Sequence, residues 1–318
     1  MKNNLILSAA IALCAAGSAY SAEKVIYGAD DRLDIYQVTD AKLLKLADST
    51  VGLFQAGDVY VSGDKAHLTT ESYADSYGLC KEEPFYEQET GAFCSGSLVA
   101  PDVIMTAGHC IKSDASCKDT KFVFGFAVTQ KGVPPSQVPA SEVYSCAQLI
   151  GREQVGSGAD WALIRLDRAV TGHQPLKYDT VTPVKNGDEL VVIGHPAGLP
   201  TKVAGGSTVR DASPNGYFVA NLDTYGGNSG SAVFNAKSGV IVGILVRGEN
   251  DYTYQGGCRV SNVCASDGCR GEDVTKLSAI TSPFSKAAGL PQQAETAVAM
   301  AKASPAFELL KGLAPEAN

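Results

Sequence analysis

Short apolar runs separated by turn-forming residues make up the middle of the chain. Between about residues 92 and 280 they include GSLVA, DVIMTAG, KFVFGFAV, WALIRL, ELVVIG, YFVANL, SAVFN and GVIVGILVRG. Each run is rich in β-branched or aromatic residues and is bounded by Gly, Pro, Asp or Asn, which is typical of β-strands. The pattern predicts an all-β fold of barrel or sandwich type. The stretch TPVKNGDE, residues 182–189, is a candidate seam between two β halves.

The two ends of the chain have different patterns. Residues 1–22 combine Lys2, a short apolar run and the small-residue ending SAYSA, which predicts a signal peptide. A lipid anchor on Cys14 is the alternative, and Leu13 before it disfavours that reading. Residues 23–50 form an N-terminal segment, a candidate short pro-region, in which DAKLLKLADST predicts a short helix. The Ala-rich residues 287–318 predict a C-terminal helical tail.

Cysteine content and charge restrict the possible function classes. Signal removal would also remove Cys14, and an even set of cysteines in an exported chain indicates disulfides. Cys258, Cys264 and Cys269 lack the spacing of a zinc site, so no metal is expected. The net charge is −8 and no basic stripe is present, which argues against nucleic acid as a partner. No membrane association is expected after signal removal.

Three segments carry side chains suited to nucleophilic catalysis. His109 stands in VIMTAGHC, where a predicted strand ends in a turn of small residues. Asp160 opens DWALIRL, where a buried carboxylate could fix the tautomer of an imidazole. Ser229 stands in GGNSGS, and its hydroxyl is a weak nucleophile until a base removes its proton. Gly226 and Gly227 leave room for backbone N–H groups to face an oxyanion.

The order of these segments separates two classes of hydrolase. The α/β-hydrolases run nucleophile, acid and then histidine, with the serine in a G-x-S-x-G turn. No histidine follows Ser229, and GNSGS lacks the last glycine of that turn. The order His, Asp, Ser therefore excludes this class. The other histidines, His67, His173 and His195, are interpreted as structural or surface residues.

The three segments resemble those of the trypsin-like (chymotrypsin-fold) serine peptidases. CSGSLVAPDVIMTAGHC is similar to the histidine segment and DWALIRL to the aspartate segment. GGNSGSAVFN is similar to the serine segment of the bacterial V8-like, glutamyl endopeptidase branch. The resemblance covers roughly residues 92–248 and implies two six-stranded antiparallel β-barrels with the site between them. We place the first barrel at residues 51–182 and the second at 183–286.

The resemblance also implies roles for individual residues. His109 would be the general base and then the general acid, with Asp160 orienting it. Ser229 would attack the scissile carbonyl. The backbone N–H groups of Gly227 and Ser229 would form the oxyanion hole.

The resemblance further implies a disulfide between Cys94 and Cys110. A second bridge, Cys117–Cys146, fits within the first half. The remaining cysteines, Cys80, Cys258, Cys264 and Cys269, can pair among themselves in three ways.

Asn228 departs from the pattern of trypsin-like zymogens, which have Asp before the serine to pair with a freed N-terminus. An amide cannot supply that charge, so activation by such a salt bridge is not expected. The bacterial branch starts its mature chain at a Val-Ile-like end, and KVIYGADDR is similar. We hypothesise cleavage after Lys24, which would expose Val25.

The candidate substrate-binding residues are Asp223, Thr224 and Arg247. Asp223 has the offset from Ser229 at which trypsin keeps an aspartate at the floor of its P1 pocket, and a carboxylate there favours Lys or Arg. Arg247 lies on the strand expected to wall the pocket, where it could neutralise Asp223. Leu245 stands where the glutamate-specific branch has histidine. We expect a preference for basic P1 residues, and the alternative is a preference for small or apolar P1 residues. The alternative role for Asp223 is that it caps a turn.

These observations predict a secreted or periplasmic serine endopeptidase that acts on protein or peptide substrates. It would need no cofactor and is expected to be a monomer. A non-catalytic, toxin-like binding protein on the same fold is the alternative from a different class.

Overall fold

The computed structural model describes residues 25–280. The predicted signal peptide and the predicted C-terminal helical segment lie outside these residues. Within them, no helix is long and apolar enough to cross a membrane.

Strands account for most of the regular structure, because turn residues interrupt the apolar runs too often for long helices. In chain order they are β1 (Ile26–Tyr27), β2 (Arg32–Asp34), β3 (Thr50–Gln55), β4 (Val59–Ser62), β5 (Lys65–Leu68), β6 (Glu71–Ser72), β7 (Glu89–Thr90), β8 (Cys94–Ala100), β9 (Val103–Thr106), β10 (Thr120–Val123), β11 (Gln137–Pro139), β12 (Val143–Gln154), β13 (Asp160–Leu166), β14 (Glu189–Gly194), β15 (Lys202–Asp211), β16 (Tyr217–Ala220), β17 (Ala232–Asn235), β18 (Val240–Arg247), β19 (Tyr252–Gln255), β20 (Cys258–Ser261), β21 (Val263–Cys264) and β22 (Glu272–Lys276).

The helices of the described residues are short. They are α1 (Ala41–Ala47), α2 (Tyr73–Tyr77) and α3 (Asp114–Lys118), with 3-10 turns at Ile35–Gln37, Ala56–Asp58, Ala140–Glu142, Pro196–Gly198 and Leu277–Ile280. The helix predicted in DAKLLKLADST is α1. It begins after Asp40, whose side chain accepts a hydrogen bond from the Lys42 N–H and so satisfies one of the open donors of the first turn.

Two closed antiparallel barrels dominate the fold. The first has the strand order β10, β12, β13, β9, β8, β3, and β3 pairs back to β10. The second has the order β14, β17, β18, β22, β16, β15, and β15 pairs back to β14. The prediction of an all-β protein with two six-stranded antiparallel barrels is therefore confirmed.

A continuous hydrophobic core holds the barrels together. It includes Leu98 and Ile104 of the first barrel and Val191, Ile193 and Phe234 of the second, all of them buried. Burying a side chain of this size stabilises the fold by about 1.5–3 kcal/mol. The relative position of the barrels is thus fixed by packing, which matters because the candidate site lies between them.

The N-terminal segment packs on the second barrel. Strand β1 pairs in parallel with β21, and β2 pairs with β15. Lys202 Nζ lies 2.6 Å from Asp34 Oδ1, and both side chains are buried. Burial lowers the pKa of Lys202 to about 8, although the carboxylate of Asp34 favours its charged form.

Four disulfides link the described residues. They are Cys94–Cys110, Cys117–Cys146, Cys80–Cys258 and Cys264–Cys269. The prediction of disulfide bonds is supported, and the structure selects one of the three pairings that the sequence left open. Because Cys80 and Cys258 are 178 residues apart, their bridge closes a long loop and should stabilise the fold by about 2–4 kcal/mol.

His173 ties two loops of the first barrel together. Its ring stacks on Phe124 with centroids 4.3 Å apart. Its Nδ1 lies 3.0 Å from Asp48 Oδ2 and its Nε2 lies 2.7 Å from Glu142 Oε2. Burial works to lower the pKa of His173, but the hydrogen bonds to Glu142 and Asp48 outweigh it and raise this pKa above its ordinary value.

This geometry predicts a pH-dependent contribution of His173 to stability. A raised folded-state pKa means that the stabilisation is complete below the ordinary pKa of about 6.5 and is lost as pH rises through the folded value. We expect His173→Gln to lower the free energy of unfolding by about 1.5 kcal/mol at pH 5.5 and by clearly less at pH 9. Urea denaturation at both pH values checks this, with His67→Gln as the control. An equal loss at both values would contradict it.

Candidate active site

Strand pairing brings His109 and Asp160 into contact. Strand β9 pairs with β13 so that Thr106 faces Ala162, and His109 follows the end of one strand while Asp160 opens the other. His109 Nδ1 lies 2.8 Å from Asp160 Oδ2, and the His109 N–H donates to Asp160 Oδ1 at 3.0 Å. The His109 side chain is 23% exposed and that of Asp160 only 3%. The buried carboxylate therefore holds the imidazole while the ring keeps access to solvent.

Glycine is required at the residue before this histidine. A Cβ on Gly108 would lie 2.1 Å from the Glu153 carbonyl oxygen and 2.7 Å from that of Trp161. The Arg152 Nε–H donates to the Gly108 carbonyl at 3.1 Å. The turn that carries His109 is therefore pressed closely against β12 and β13.

Asp160 is also tied to the second barrel. Its N–H donates to Thr275 Oγ1 at 3.0 Å, and the Thr275 hydroxyl donates to the Asp160 carbonyl at 3.0 Å. Thr275 belongs to β22 of the second barrel and is buried. A single hydroxyl thus joins the start of β13 to the barrel that carries Ser229.

Ser229 lies in a turn between β16 and β17, and this turn packs against the first barrel. The Ser229 carbonyl accepts a hydrogen bond from the Ser95 N–H at 2.8 Å, and Cys110 Sγ lies 3.7 Å from the same oxygen. The Ser229 hydroxyl donates to the Val246 carbonyl at 3.4 Å. Since Cys110 adjoins His109 in the chain, the serine turn and the histidine turn are neighbours.

Gly227, two residues before Ser229, is packed too tightly for a side chain. Gly227 has φ +84°, and a Cβ there would lie 2.6 Å from Gly198 N and 2.9 Å from the His195 carbonyl oxygen. The Ser95 hydroxyl donates to the Gly227 carbonyl at 3.0 Å. This turn therefore has its conformation set by neighbours on both sides.

Asn228 forms hydrogen bonds within the turn. Its N–H donates to the Tyr225 carbonyl at 3.0 Å, and its Oδ1 accepts a hydrogen bond from the Ser231 hydroxyl at 2.9 Å. The amide therefore braces the turn from within.

The predicted substrate-binding residues Asp223 and Arg247 have different partners. Asp223 is buried, and its Oδ1 and Oδ2 accept hydrogen bonds from the N–H groups of Tyr27 at 2.7 Å and Asp31 at 2.9 Å. Burial raises the pKa of Asp223 to about 7, although these two donors favour its charged form. Arg247 Nε lies 3.1 Å from Asp273 Oδ2.

Thr224 contacts a buried acidic residue that the sequence analysis missed. The Thr224 hydroxyl donates to Glu272 Oε2 at 3.2 Å, and the Tyr27 hydroxyl donates to Glu272 Oε1 at 3.3 Å. A Cβ on Gly248 would lie 1.8 Å from Glu272 Oε2, so the carboxylate covers the backbone just beyond Arg247. The sequence GEDVTK around Glu272 matches no motif, so no sequence signal marked this residue.

His195 is buried and belongs to the framework of the site. Its Nδ1 lies 2.9 Å from the Leu199 carbonyl oxygen and its ring stacks on Phe126. Burial lowers the pKa of His195 to about 4, so its ring is neutral at physiological pH. Its backbone N–H donates to Ser95 Oγ at 2.9 Å, which adds a support to the serine turn.

The cysteines near the site do not suit metal binding. Cys94, His109 and Cys110 have potential ligand atoms within 4.8 Å of one another, but both sulfurs are in a disulfide. Metal-binding cysteines are thiolates, which a disulfide cannot provide. Bridges likewise occupy Cys258, Cys264 and Cys269.

Several known proteins are similar to part of this chain. Chymotrypsin-like elastase family member 3A of Homo sapiens is 38% identical over 107 residues, which cover 32% of this chain and 38% of the relative. Glutamyl endopeptidase of Bacillus licheniformis is 28% identical over 154 residues, 46% of each chain. Exfoliative toxin A of Staphylococcus aureus is 29% identical over 170 residues, 50% of this chain and 57% of the toxin. The alignments thus span about half or less of two of these relatives and just over half of the third.

A family model matches the part of the chain that contains the candidate site. Residues 94–244 match the model of the trypsin-like peptidase domain. This range contains His109, Asp160 and Ser229 together with the disulfide Cys94–Cys110. Residues 94–244, somewhat less than half of the chain, are therefore similar to a trypsin-like peptidase domain.

Proposed function

We propose that the protein is an exported serine endopeptidase that cleaves peptide bonds through an acyl-enzyme. One observation carries the proposal: the imidazole of His109 is held by the buried carboxylate of Asp160, on a turn that adjoins the turn of Ser229. The family match to a trypsin-like peptidase domain supports the same reaction class.

The first half of the proposed reaction forms the acyl-enzyme. His109 removes the proton of the Ser229 hydroxyl as Oγ attacks the scissile carbonyl carbon. Asp160 holds the Nδ1–H tautomer and stabilises the imidazolium that forms. The N–H groups of Gly227 and Ser229 stabilise the oxyanion of the tetrahedral intermediate. His109 then gives its proton to the departing amine as the C–N bond breaks.

The second half restores the enzyme. A water molecule attacks the acyl carbon while His109 takes its proton, and the Ser229 Oγ–carbon bond breaks with return of the proton to the serine. These steps need only protein groups and water. We therefore assign no cofactor to the reaction.

We further propose that the protein belongs to the bacterial V8-like branch and acts outside the cytoplasm. Asn228 before the serine and the similarity to the Bacillus licheniformis glutamyl endopeptidase support the branch. Four disulfides support an oxidising location, secreted or periplasmic. The similarity to exfoliative toxin A keeps a toxin-like binding role as the alternative.

Reaction with a fluorophosphonate probe tests the nucleophile. We expect the mature protein to be labelled at Ser229 and Ser229→Ala to show no labelling, because the probe reacts with an activated serine hydroxyl. Ser62→Ala, an exposed serine on β4, is the matched control and should label like the wild type. Equal labelling of Ser229→Ala and the wild type, or no labelling of the wild type, would refute the assignment of Ser229 as the nucleophile.

We infer that Val25 becomes the mature N-terminus by cleavage after Lys24. Val25 is buried, and its carbonyl accepts a hydrogen bond from the Thr224 N–H at 3.3 Å, within the candidate substrate-binding region. We expect N-terminal sequencing of the active protein to begin at Val25. A mature chain that begins at Glu23 would refute this inference.

A basic P1 preference remains part of the proposal, and two buried carboxylates could produce it. Asp223 is the residue that sequence offset selects, although both of its oxygens are bonded to the N-terminal segment. Glu272 lies against Thr224 and against Gly248, which is two residues after Val246, whose carbonyl accepts a hydrogen bond from the Ser229 hydroxyl. A carboxylate in either place would favour Lys or Arg by charge pairing.

Profiling with a P1 peptide library distinguishes the two carboxylates. We expect the wild type to prefer Lys or Arg, and Glu272→Gln or Asp223→Asn to reduce that preference by roughly tenfold to a hundredfold in kcat/KM, the effect of about 1.4–2.8 kcal/mol. The isosteric amides keep side-chain volume while removing the charge. A wild-type preference for small or apolar P1, or an unchanged profile in both variants, would contradict a basic pocket.

A further inference from the structure

Ala197 has a backbone conformation that a residue with a Cβ seldom adopts. Its φ is +54° and its ψ is +19°, and the residue is buried. This left-handed conformation is unfavourable for alanine, so surrounding contacts must impose it. Ala197 lies in the turn Pro196–Gly198, which packs directly against Gly227.

The N–H group of Ala197 determines how one peptide of the serine turn is oriented. It donates to the Gly226 carbonyl at 2.5 Å. Because the Gly226–Gly227 peptide is planar and trans, fixing this carbonyl makes the Gly227 N–H point in the opposite direction. The Gly226 N–H is held as well, by Asp251 Oδ2 at 2.9 Å.

The carbonyl group of Ala197 is held from the other side by two hydroxyls. The Tyr77 hydroxyl donates to it at 3.2 Å, and the Thr90 hydroxyl donates to the same oxygen. Both residues belong to the strap, which we define as residues 73–90. The disulfide Cys80–Cys258 fastens the strap to the hairpin of β19 and β20.

We propose that Tyr77 and Thr90 are positioning residues for the oxyanion hole and act through Ala197. Together they fix the Ala197 carbonyl, hold the residue in its left-handed conformation and keep its N–H on the Gly226 carbonyl. The Gly227 N–H then points toward the place where the oxyanion forms. This inference rests on the proposed peptidase function.

Loss of the hydrogen bonds from the strap to Ala197 should have a characteristic kinetic effect. An oxyanion donor interacts with the transition state far more strongly than with the bound substrate. A misdirected Gly227 N–H should therefore lower kcat and leave KM unchanged. Removing an oxyanion-hole donor costs about a hundredfold or more in kcat, so partial misorientation should cost roughly tenfold.

Kinetics with a peptide substrate test the proposal. We expect Tyr77→Phe and Thr90→Val to lower kcat roughly tenfold at constant KM, and to weaken a peptide aldehyde inhibitor by the same factor. Thr90→Ser keeps the hydroxyl and should retain wild-type kcat. Tyr254→Phe is the control, because Tyr254 is 74% exposed on the hairpin that the strap is fastened to.

The amide resonance of Gly227 provides a readout that does not require activity. In ¹⁵N-labelled protein, Tyr77→Phe and Thr90→Val should shift this resonance, whereas Thr90→Ser and Tyr254→Phe should leave it in place. An unshifted Gly227 amide with wild-type kcat in both variants would overturn the proposal, as would an equal loss of kcat in Thr90→Ser. An inactive wild type would instead refute the peptidase function, and the Gly227 shift would still decide the positioning role.

Discussion

Burial of the Asp160 carboxylate is the constraint on which the rest of the site depends. A carboxylate that is 3% exposed must be matched by donors, because burying an uncompensated charge is costly. His109 provides both donors, one from its backbone and one from its ring. The ring is thereby fixed in orientation and the backbone turn is fixed with it. The absence of a side chain at Gly108 follows from how closely this turn must approach β12 and β13.

Hydrogen bonds at the site also connect the two barrels. The backbone of Asp160 is bonded to Thr275, and the carbonyls of Gly227 and Ser229 are bonded to Ser95 of the first barrel. Neither barrel therefore shapes its part of the site alone. The hydrophobic core shared by the two barrels keeps these hydrogen bonds in register. A loss of packing between the barrels would therefore affect both the histidine turn and the serine turn.

The barrels could be predicted from the sequence because strand patterns are local. Alternating apolar runs and turn residues identify strands wherever they pair, and the family resemblance supplied the number of strands and their closure. Disulfide partners were harder to predict from the sequence. Cys80 and Cys258 are 178 residues apart, and spacing alone leaves three possible pairings of the last four cysteines. The orientation of the Asp223 side chain could not be predicted from the sequence either. The N–H groups that donate to it belong to the N-terminal segment, 196 and 192 residues away in the chain.

The residues missed by sequence reasoning act largely through backbone atoms or through burial. Ala197 contributes an N–H and a carbonyl, groups that nearly every residue type has, so its identity carries no motif. Glu272 became a candidate only when the pairing of β18 and β22 placed its strand beside Arg247 and its carboxylate against Gly248. Such roles depend on tertiary contacts that a pattern along the chain does not encode.

A crystal structure of the protein after reaction with a peptidyl phosphonate would test whether Ser229 is the nucleophile and whether Gly227 and Ser229 form the oxyanion hole. We expect phosphorus bonded to Ser229 Oγ, with His109 still hydrogen-bonded to Asp160. We also expect a phosphonyl oxygen to accept hydrogen bonds from the N–H groups of Gly227 and Ser229. Phosphorus on another residue, or a Gly227 N–H directed away from the phosphonyl oxygen, would refute these assignments.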